Sequence, residues 1–227
     1  MDGNYEIIDL DEKELPDYSF KAVISGNSGV GKTSIIEYEI NNKIKTESTS
    51  TIVLEHYYKN YRINDKIIRL QIWDTCGEES YSTLTKNFYR SALCIFVVFS
   101  LDDANSFANL DKWIYEIKEM NENESPMIVL IGNKSDKEAE RKVSKEEIEN
   151  YCKKMGIEYS FETSAKNGDS IHELFKEVMK KLYIKFVEQY NTDIYSTKTF
   201  NSSSQNSEAP ACGFNSEKCK ACGCFIF

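Results

Sequence analysis

The chain predicts an α/β fold with a mostly parallel, six-stranded sheet between two helix layers. Three observations carry this expectation. Strand-like and helix-like segments alternate along the chain, the pattern of βαβ units. Leu93-Cys-Ile-Phe-Val-Val-Phe99 and Met127-Ile-Val-Leu-Ile131 are continuous apolar runs, as central strands buried on both faces require. Gly26-Asn-Ser-Gly-Val-Gly-Lys-Thr33 stands between a β-branched segment and one with helical apolar spacing.

Taken in order, residues 1–17 read as an acidic extension without an apolar run. Residues 20–25 alternate as a strand, and 34–40 carry helical spacing. Residues 41–51 are polar and aperiodic, hence a loop. Two strands, 57–63 and 67–73, flank the turn Asn64-Asp65-Lys66 and make a hairpin. Asp74 to Gly77 ends the second of them, and a weakly patterned segment follows to Arg90. After the strand at 93–99 comes an amphipathic helix, 106–120, with Phe107, Leu110, Trp113, Ile114 and Ile117 on one stripe. A strand at 127–131 precedes a helix at 144–155. Ser144 and Glu147 give that helix a capping box, and Gly156 closes it. A short strand, 157–161, leads to a last helix, 170–190, capped by Ser170 and Glu173. Beyond 190 the composition turns to Ser, Asn, Thr and Gly, which reads as a disordered tail. The expected organisation is therefore an extension (1–17), one domain (18–190) and a tail (191–227).

Composition narrows the function classes. The net charge of −9 argues against a nucleic-acid surface, and no basic block interrupts it. No stretch is long and apolar enough to span a bilayer. The N-terminal segment lacks a secretory pattern, and Asp2 excludes the glycine that myristoylation needs. The seven cysteines are scattered or crowded near the C-terminus, which fits reduced thiols better than a disulfide framework.

Gly26 to Thr33 matches G-x-x-x-x-G-K-[ST], a phosphate-binding P-loop. Its glycines let backbone N–H groups of Ser28, Gly29, Val30, Gly31, Lys32, Thr33 and Ser34 turn around a phosphate. The new helix points its positive end at the same anion. Lys32 can reach the β and γ phosphates, and the Thr33 hydroxyl can ligate Mg²⁺. The motif says nucleotide without saying which. Asn133-Lys134-Ser135-Asp136, directly after a buried strand, adds that choice. The Asp136 carboxylate can accept from N1–H and N2–H₂ of guanine, a pair that adenine lacks. The tetrapeptide is a weak pattern alone. Thr163-Ser164-Ala165-Lys166, after the last strand, strengthens it.

P-loop, D-x-x-G, N-K-x-D and S-A-K in this order resemble a Ras-type small GTPase, that is, a P-loop NTPase G domain, over residues 20–190. The resemblance implies GTP/GDP and Mg²⁺ as ligands. It implies that the Ala165 N–H meets guanine O6, with Ser164 beside it, and that the stems of Lys134 and Lys166 flank the base. Thr33 and Thr51 would ligate the metal, with Asp74 held through water, and the Gly77 N–H would contact the γ-phosphate. Thr51 lies 18 residues after Thr33 and 23 before Asp74, as that family requires. The loops around Thr51 and Gly77 would be nucleotide-dependent switches. Leu70-Gln-Ile-Trp-Asp-Thr-Cys-Gly77, Phe88-Tyr-Arg-Ser-Ala92 and Asn105-Ser-Phe107 are most similar to the Rab branch. That likeness implies vesicle traffic on the cytoplasmic face of an intracellular membrane, with a cytosolic pool. It implies a monomer partnered by exchange factors, a GTPase-activating protein, effectors and a GDP-dissociation inhibitor.

Departures from the Rab pattern bear on mechanism. Glu78 replaces the Gln that orients the attacking water. An ionised carboxylate only accepts hydrogen bonds and adds charge beside the γ-phosphate, so unassisted hydrolysis is expected to be altered, in the slower direction. A protonated Glu78 would partly imitate Gln. His56 joins Trp73 and Phe88 where effectors engage three hydrophobic residues, and Ile44 stands where an aromatic often packs against the base. One alternative is therefore a GTP-loaded scaffold that barely hydrolyses. Another is a Ras-branch signalling GTPase, suggested by the terminal Cys224-Phe-Ile-Phe227, a C-a-a-X pattern. Cys222 and Cys224 also form the C-x-C of doubly prenylated Rabs. Two lipids make residence on a membrane stable where one anchors reversibly. Cys212, Cys219, Cys222 and Cys224 leave a zinc site as the alternative there.

Overall fold

The computed structural model describes residues 5–10, 14–43, 54–75, 87–121, 125–200 and 224–225, with side chains described as far as Val187. The strands are β1 (Ile7–Leu10), β2 (Tyr18–Gly26), β3 (Glu55–Ile63), β4 (Lys66–Asp74), β5 (Cys94–Ser100), β6 (Met127–Asn133), β7 (Tyr159–Thr163) and β8 (Cys224–Phe225). The helices are α1 (Lys32–Asn41), α2 (Ala104–Ala108), α3 (Leu110–Met120), α4 (Lys145–Met155) and α5 (Ile171–Phe200), with a 3₁₀ segment at Ser135–Glu140.

The sheet runs β1-β3-β4-β2-β5-β6-β7, with β8 paired to β2 off that path. From β4 to β7 every neighbouring pair is parallel. The β3–β4 hairpin is antiparallel, with Ile63 opposite Lys66. Alternation along β5 shows why a continuous apolar run was needed. Cys94, Phe96 and Val98 face the layer of α1 and α5, where Ile35, Ile36, Leu174, Phe175 and Val178 pack. Ile95, Val97 and Phe99 face the opposite layer, with Leu110, Trp113, Ile114, Ile117 and Ile148. A fully buried Ile, Leu or Phe contributes about 1.5–3 kcal/mol, so these two faces hold the sheet between its helices.

The sheet has two more strands than the six expected, because the acidic extension contributes β1 and the tail, expected to be disordered, contributes β8, paired antiparallel to β2. β1 pairs antiparallel with β3, Ile7 opposite Ile63 and Leu10 opposite Asn60. Asp9 lies 3.5 Å from Lys59 and 3.9 Å from Lys176, which gives an acidic residue a reason to sit at this edge. The helix expected at 106–120 is two helices. Asp103 caps α2 by accepting from the Asn105 N–H, and the chain re-enters α3 at Asn109. The capping box of α4 is present, with Gly156 left-handed at φ 71°. Ser170 does not cap α5 in the expected way: it is left-handed at φ 58°, where a capping residue is extended, and its carbonyl accepts from the Leu174 N–H. The last helix continues to Phe200, past the expected boundary at Tyr190. No described helix is long and apolar enough to cross a membrane.

Candidate functional site

All the chemistry-bearing segments within the described residues leave carboxyl ends of parallel strands. The P-loop follows β2, Asp74 ends β4, Asn133 ends β6 and Thr163 ends β7. In open α/β sheets this edge is where ligands bind.

At the phosphate end, Gly29 and Gly31 hold φ of 76° and 99°, conformations that side chains disfavour. A Cβ on Gly31 would also lie 2.2 Å from Asn133 Nδ2. The Lys32 ammonium is buried and donates to the carbonyls of Gly26 and Asn27, each at 2.9 Å, which folds it over the loop. Trp113 Nε1 donates to Asn27 Oδ1 at 2.8 Å and so ties the loop to α3. Ser25 and Tyr89 join their hydroxyls beneath, 2.7 Å apart.

The metal expected here can be tested against the donor set. The Thr33 hydroxyl donates to Asp74 Oδ2 at 2.6 Å. The other Asp74 oxygen, Oδ1, is buried with no hydrogen-bond partner. Burial pushes the Asp74 carboxyl up to about 6, against the pull of the Thr33 hydrogen bond and the Lys32 charge. A hard oxygen that is buried and unpaired beside a hydroxyl and a P-loop fits Mg²⁺ or a water that it holds.

At the base end, Asn133 stitches the site together. Its Nδ2 donates to the Val30 carbonyl at 2.8 Å, and its Oδ1 accepts from the Ala165 N–H at 3.2 Å and the Thr163 hydroxyl at 3.4 Å. The Ala165 N–H, expected to meet guanine O6, is thus already engaged, and a bond to O6 would be shared with Asn133. Asp136 accepts from the Ser164 hydroxyl at 2.6 Å and lies 3.8 Å from Lys166 Nζ. Lys134 is left-handed at φ 67°, which turns the chain into the 3₁₀ segment and lifts Asp136 toward the site.

Asp102 is a participant that sequence reasoning passed over. It ends the turn after β5 and faces Lys137 Nζ at 2.8 Å and Lys134 Nζ at 3.6 Å, with the Ser100 hydroxyl also donating to it. Burial alone would raise its pKa. The bonds from Lys137 and Ser100 and the charges of Lys134 and Lys137 outweigh that and hold it at about 2. Its two lysine partners lie more than thirty residues away in sequence, so spacing offered no signal.

His56, Trp73 and Phe88 form a continuous aromatic stack, with ring centroids 4.6 Å and 5.2 Å apart. Burial lowers the His56 pKa, which favours the uncharged ring against Trp73. Thr51, Gly77 and Glu78, together with Ile44 and Cys222, lie outside the described residues, and of Cys224 only the backbone is described. No group of His, Cys, Asp and Glu among the described residues forms a metal-binding cluster.

This arrangement of nucleotide-binding loops on a parallel sheet defines a P-loop GTPase domain, and the chain belongs to the Ras family, whose model matches residues 21–184. Within that family it is a divergent Rab-branch small GTPase. It is 37% identical over 169 residues to "Ras-related protein Rab-13" of Bos taurus, covering 74% of this chain and 82% of that protein. It is 34% identical over 171 residues to "Ras-related protein RABA6a" of Arabidopsis thaliana, covering 75% and 72%. To "Ras-related protein Rab-11B" of Dictyostelium discoideum it is 35% identical over 167 residues, 74% and 75%. Rab-named relatives do not favour the Ras-branch or scaffold alternatives. As a member of this family the chain is a GTPase.

Proposed function

We propose that the chain is a Rab-like switch of vesicle-mediated membrane traffic, which cycles between GDP and GTP forms and recruits effectors in the second. The observation that carries this is the convergence of P-loop, Asp74, Asn133-Lys134-Ser135-Asp136 and Ser164-Ala165-Lys166 on one sheet edge in a Rab-branch chain. The N–H groups of residues 28–34 surround the phosphates, and Lys32 swings from its carbonyl partners to the β and γ oxygens. Thr33 and Thr51 would ligate Mg²⁺, with Asp74 reaching it through water, and the ion would supply positive charge against the phosphates. The N–H of Gly77 contacts the γ-phosphate, and Glu78 stands beside the attacking water. Asp136 selects guanine, with Ser164 fixing its carboxylate and Lys134 and Lys166 flanking the ring.

Exchange factors, a GTPase-activating protein, effectors and a GDP-dissociation inhibitor are the partners that this role requires. Prenyl groups on Cys222 and Cys224 hold the protein on the cytoplasmic face of an intracellular membrane, with a cytosolic pool. Mutating Cys224 alone distinguishes simple C-a-a-X processing, which then loses all anchoring, from dual lipidation.

Single-turnover GTP hydrolysis, native beside Glu78→Gln, tests the catalytic assignment. The expected result is slow turnover in the native protein and a faster variant. Equal rates would remove Glu78 from the mechanism, and failure to bind guanine nucleotide would overturn the reading as a whole.

A further inference from the structure

The end of α1 farthest from the phosphates carries an unusual concentration of polar contacts. Glu39 is fully buried, yet its carboxylate has three donors: Lys59 Nζ at 2.7 Å, the Tyr61 hydroxyl at 2.7 Å and His172 Nδ1 at 2.6 Å. Lys59 also donates to the Glu39 carbonyl at 2.8 Å. A buried carboxylate is retained only when it is satisfied in this way, and the satisfied cluster fixes the helix end on β3.

The loop that follows Lys166 hangs on this fixed end. The Tyr38 hydroxyl donates to the Asn167 carbonyl at 3.3 Å. The Tyr38 ring lies against Gly168, where an added Cβ would come within 2.0 Å of it, at a φ of 83° that also requires glycine. One turn later, His172 binds Glu39 through Nδ1, and its Nε2 lies 2.6 Å from Asn42 Oδ1 at the cap of α1. From Gly168 the connection runs inward. The Gly168 N–H donates to the Ser164 carbonyl at 2.7 Å, and the Asn167 N–H donates to Ser164 Oγ at 3.3 Å. The Ser164 hydroxyl in turn donates to Asp136.

We propose that the end of α1 is a clasp for the guanine-recognition loop, with Tyr38, Glu39 and His172 as positioning residues. None of the three stands at the strand ends that form the site. They act through Gly168 and Ser164 on Asp136 and Ala165. This rests on the assignment of Asp136 and Ser164 to Lys166 as the base site. The clasp makes α1 a strut: Lys32 and Thr33 at its first turn serve the phosphates, and Tyr38 to Asn42 at its last turn hold the loop that serves the base.

The test is release of a fluorescent GDP from the full chain, with Mg²⁺, for the native protein, Tyr38→Ala, His172→Ala and His172→Gln. Inosine diphosphate, which lacks the 2-amino group, is measured in parallel. His172→Ala is expected to release GDP about tenfold faster, the worth of one hydrogen bond to a carboxylate, and Tyr38→Ala, which loses a neutral hydrogen bond, about three- to tenfold faster. They are also expected to lose part of the preference for GDP over the inosine nucleotide, and His172→Gln, which keeps an N–H donor, to recover much of both. Tyr38 is half-buried and its truncation removes a ring contact with His172 but none of the donors to Glu39, so it carries the test where His172→Ala lowers the melting temperature. Native rates in Tyr38→Ala, or faster release with the preference intact, would overturn the clasp. A native protein that binds no GDP would instead overturn the base-site assignment beneath it.

Discussion

The two ends of the nucleotide site are built on different principles. At the base end the polar and ionic groups already have partners. Asp136 has Ser164 and Lys166, Asp102 has Lys134, Lys137 and Ser100, and Asn133 has Val30, Thr163 and Ala165. At the phosphate end, Asp74 keeps a buried oxygen without a partner and a carboxyl raised to about 6, and Lys32 rests on two carbonyls. The difference matches the ligand proposed for each end. A neutral base is recognised by hydrogen bonds whose geometry must be set beforehand. Phosphates and a divalent cation bring full charges, and a buried carboxylate oxygen without a hydrogen-bond partner, such as Asp74 Oδ1, is stabilised by such a cation. The base end is preorganised, and the phosphate end is completed by its ligand.

The joint between the ends is the place to break this comparison with the largest effect. Asn133 is almost fully buried and bridges both halves. Asn133→Ala would leave the Val30 carbonyl and the Ala165 N–H without a partner, each costing about 1–3 kcal/mol. We expect a lower melting temperature and a loss of GDP affinity of about 100-fold or more, measured by equilibrium titration. Affinity retained within a factor of about three would mean that the two ends are assembled independently.

Asp136→Asn tests the base end with the charge removed and the shape kept. The amide offers a donor where guanine needs an acceptor, so GDP affinity should fall by about 30-fold or more. Xanthosine diphosphate, whose 2-oxo group accepts, should gain. At the phosphate end, chelating Mg²⁺ should speed GDP release about tenfold or more in the native protein and less in Asp74→Ala, since one of the metal's attachments is already gone. Equal acceleration in both would remove Asp74 from the metal site.

What was legible in the sequence divides along similar lines. The P-loop, the buried strands and the α4 capping box are local patterns, and contiguous residues carry their physics. β1 was not legible, because Ile7-Ile8-Asp9-Leu10 is too short and acidic to read as a strand until β3 supplies its partner and Lys59 its counter-charge. The base-end braces are invisible for the same reason. Asp102 reaches Lys137 across thirty-five residues, and His172 reaches Glu39 across 133. Ser170 misled because a Ser before a helical run resembles a cap, while the turn through Gly168 sets it left-handed.

Asp102 sharpens the comparison with the smallest expected effect. Its carboxyl stands at about 2, below its ordinary 3.8, so the group binds fewer protons folded than unfolded. The stability it contributes is therefore fully present above about pH 4 and is lost as pH falls through about 2. Between pH 6 and 8 the brace on Lys134 should not vary, and any change in nucleotide release there must come from other groups. Asp102→Asn keeps the shape but turns an acceptor of two lysines into a neutral amide. We expect GDP release about three- to tenfold faster at pH 7, because Lys134 is held less firmly in the place beside the base proposed for it. The melting temperature of Asp102→Asn should also fall less than that of the native protein on acidification from about pH 4 to about pH 2. Parallel acid profiles would show that Asp102 is ordinary surface charge, and the base end would then owe its order to Asn133, Ser164 and the contacts from the end of α1.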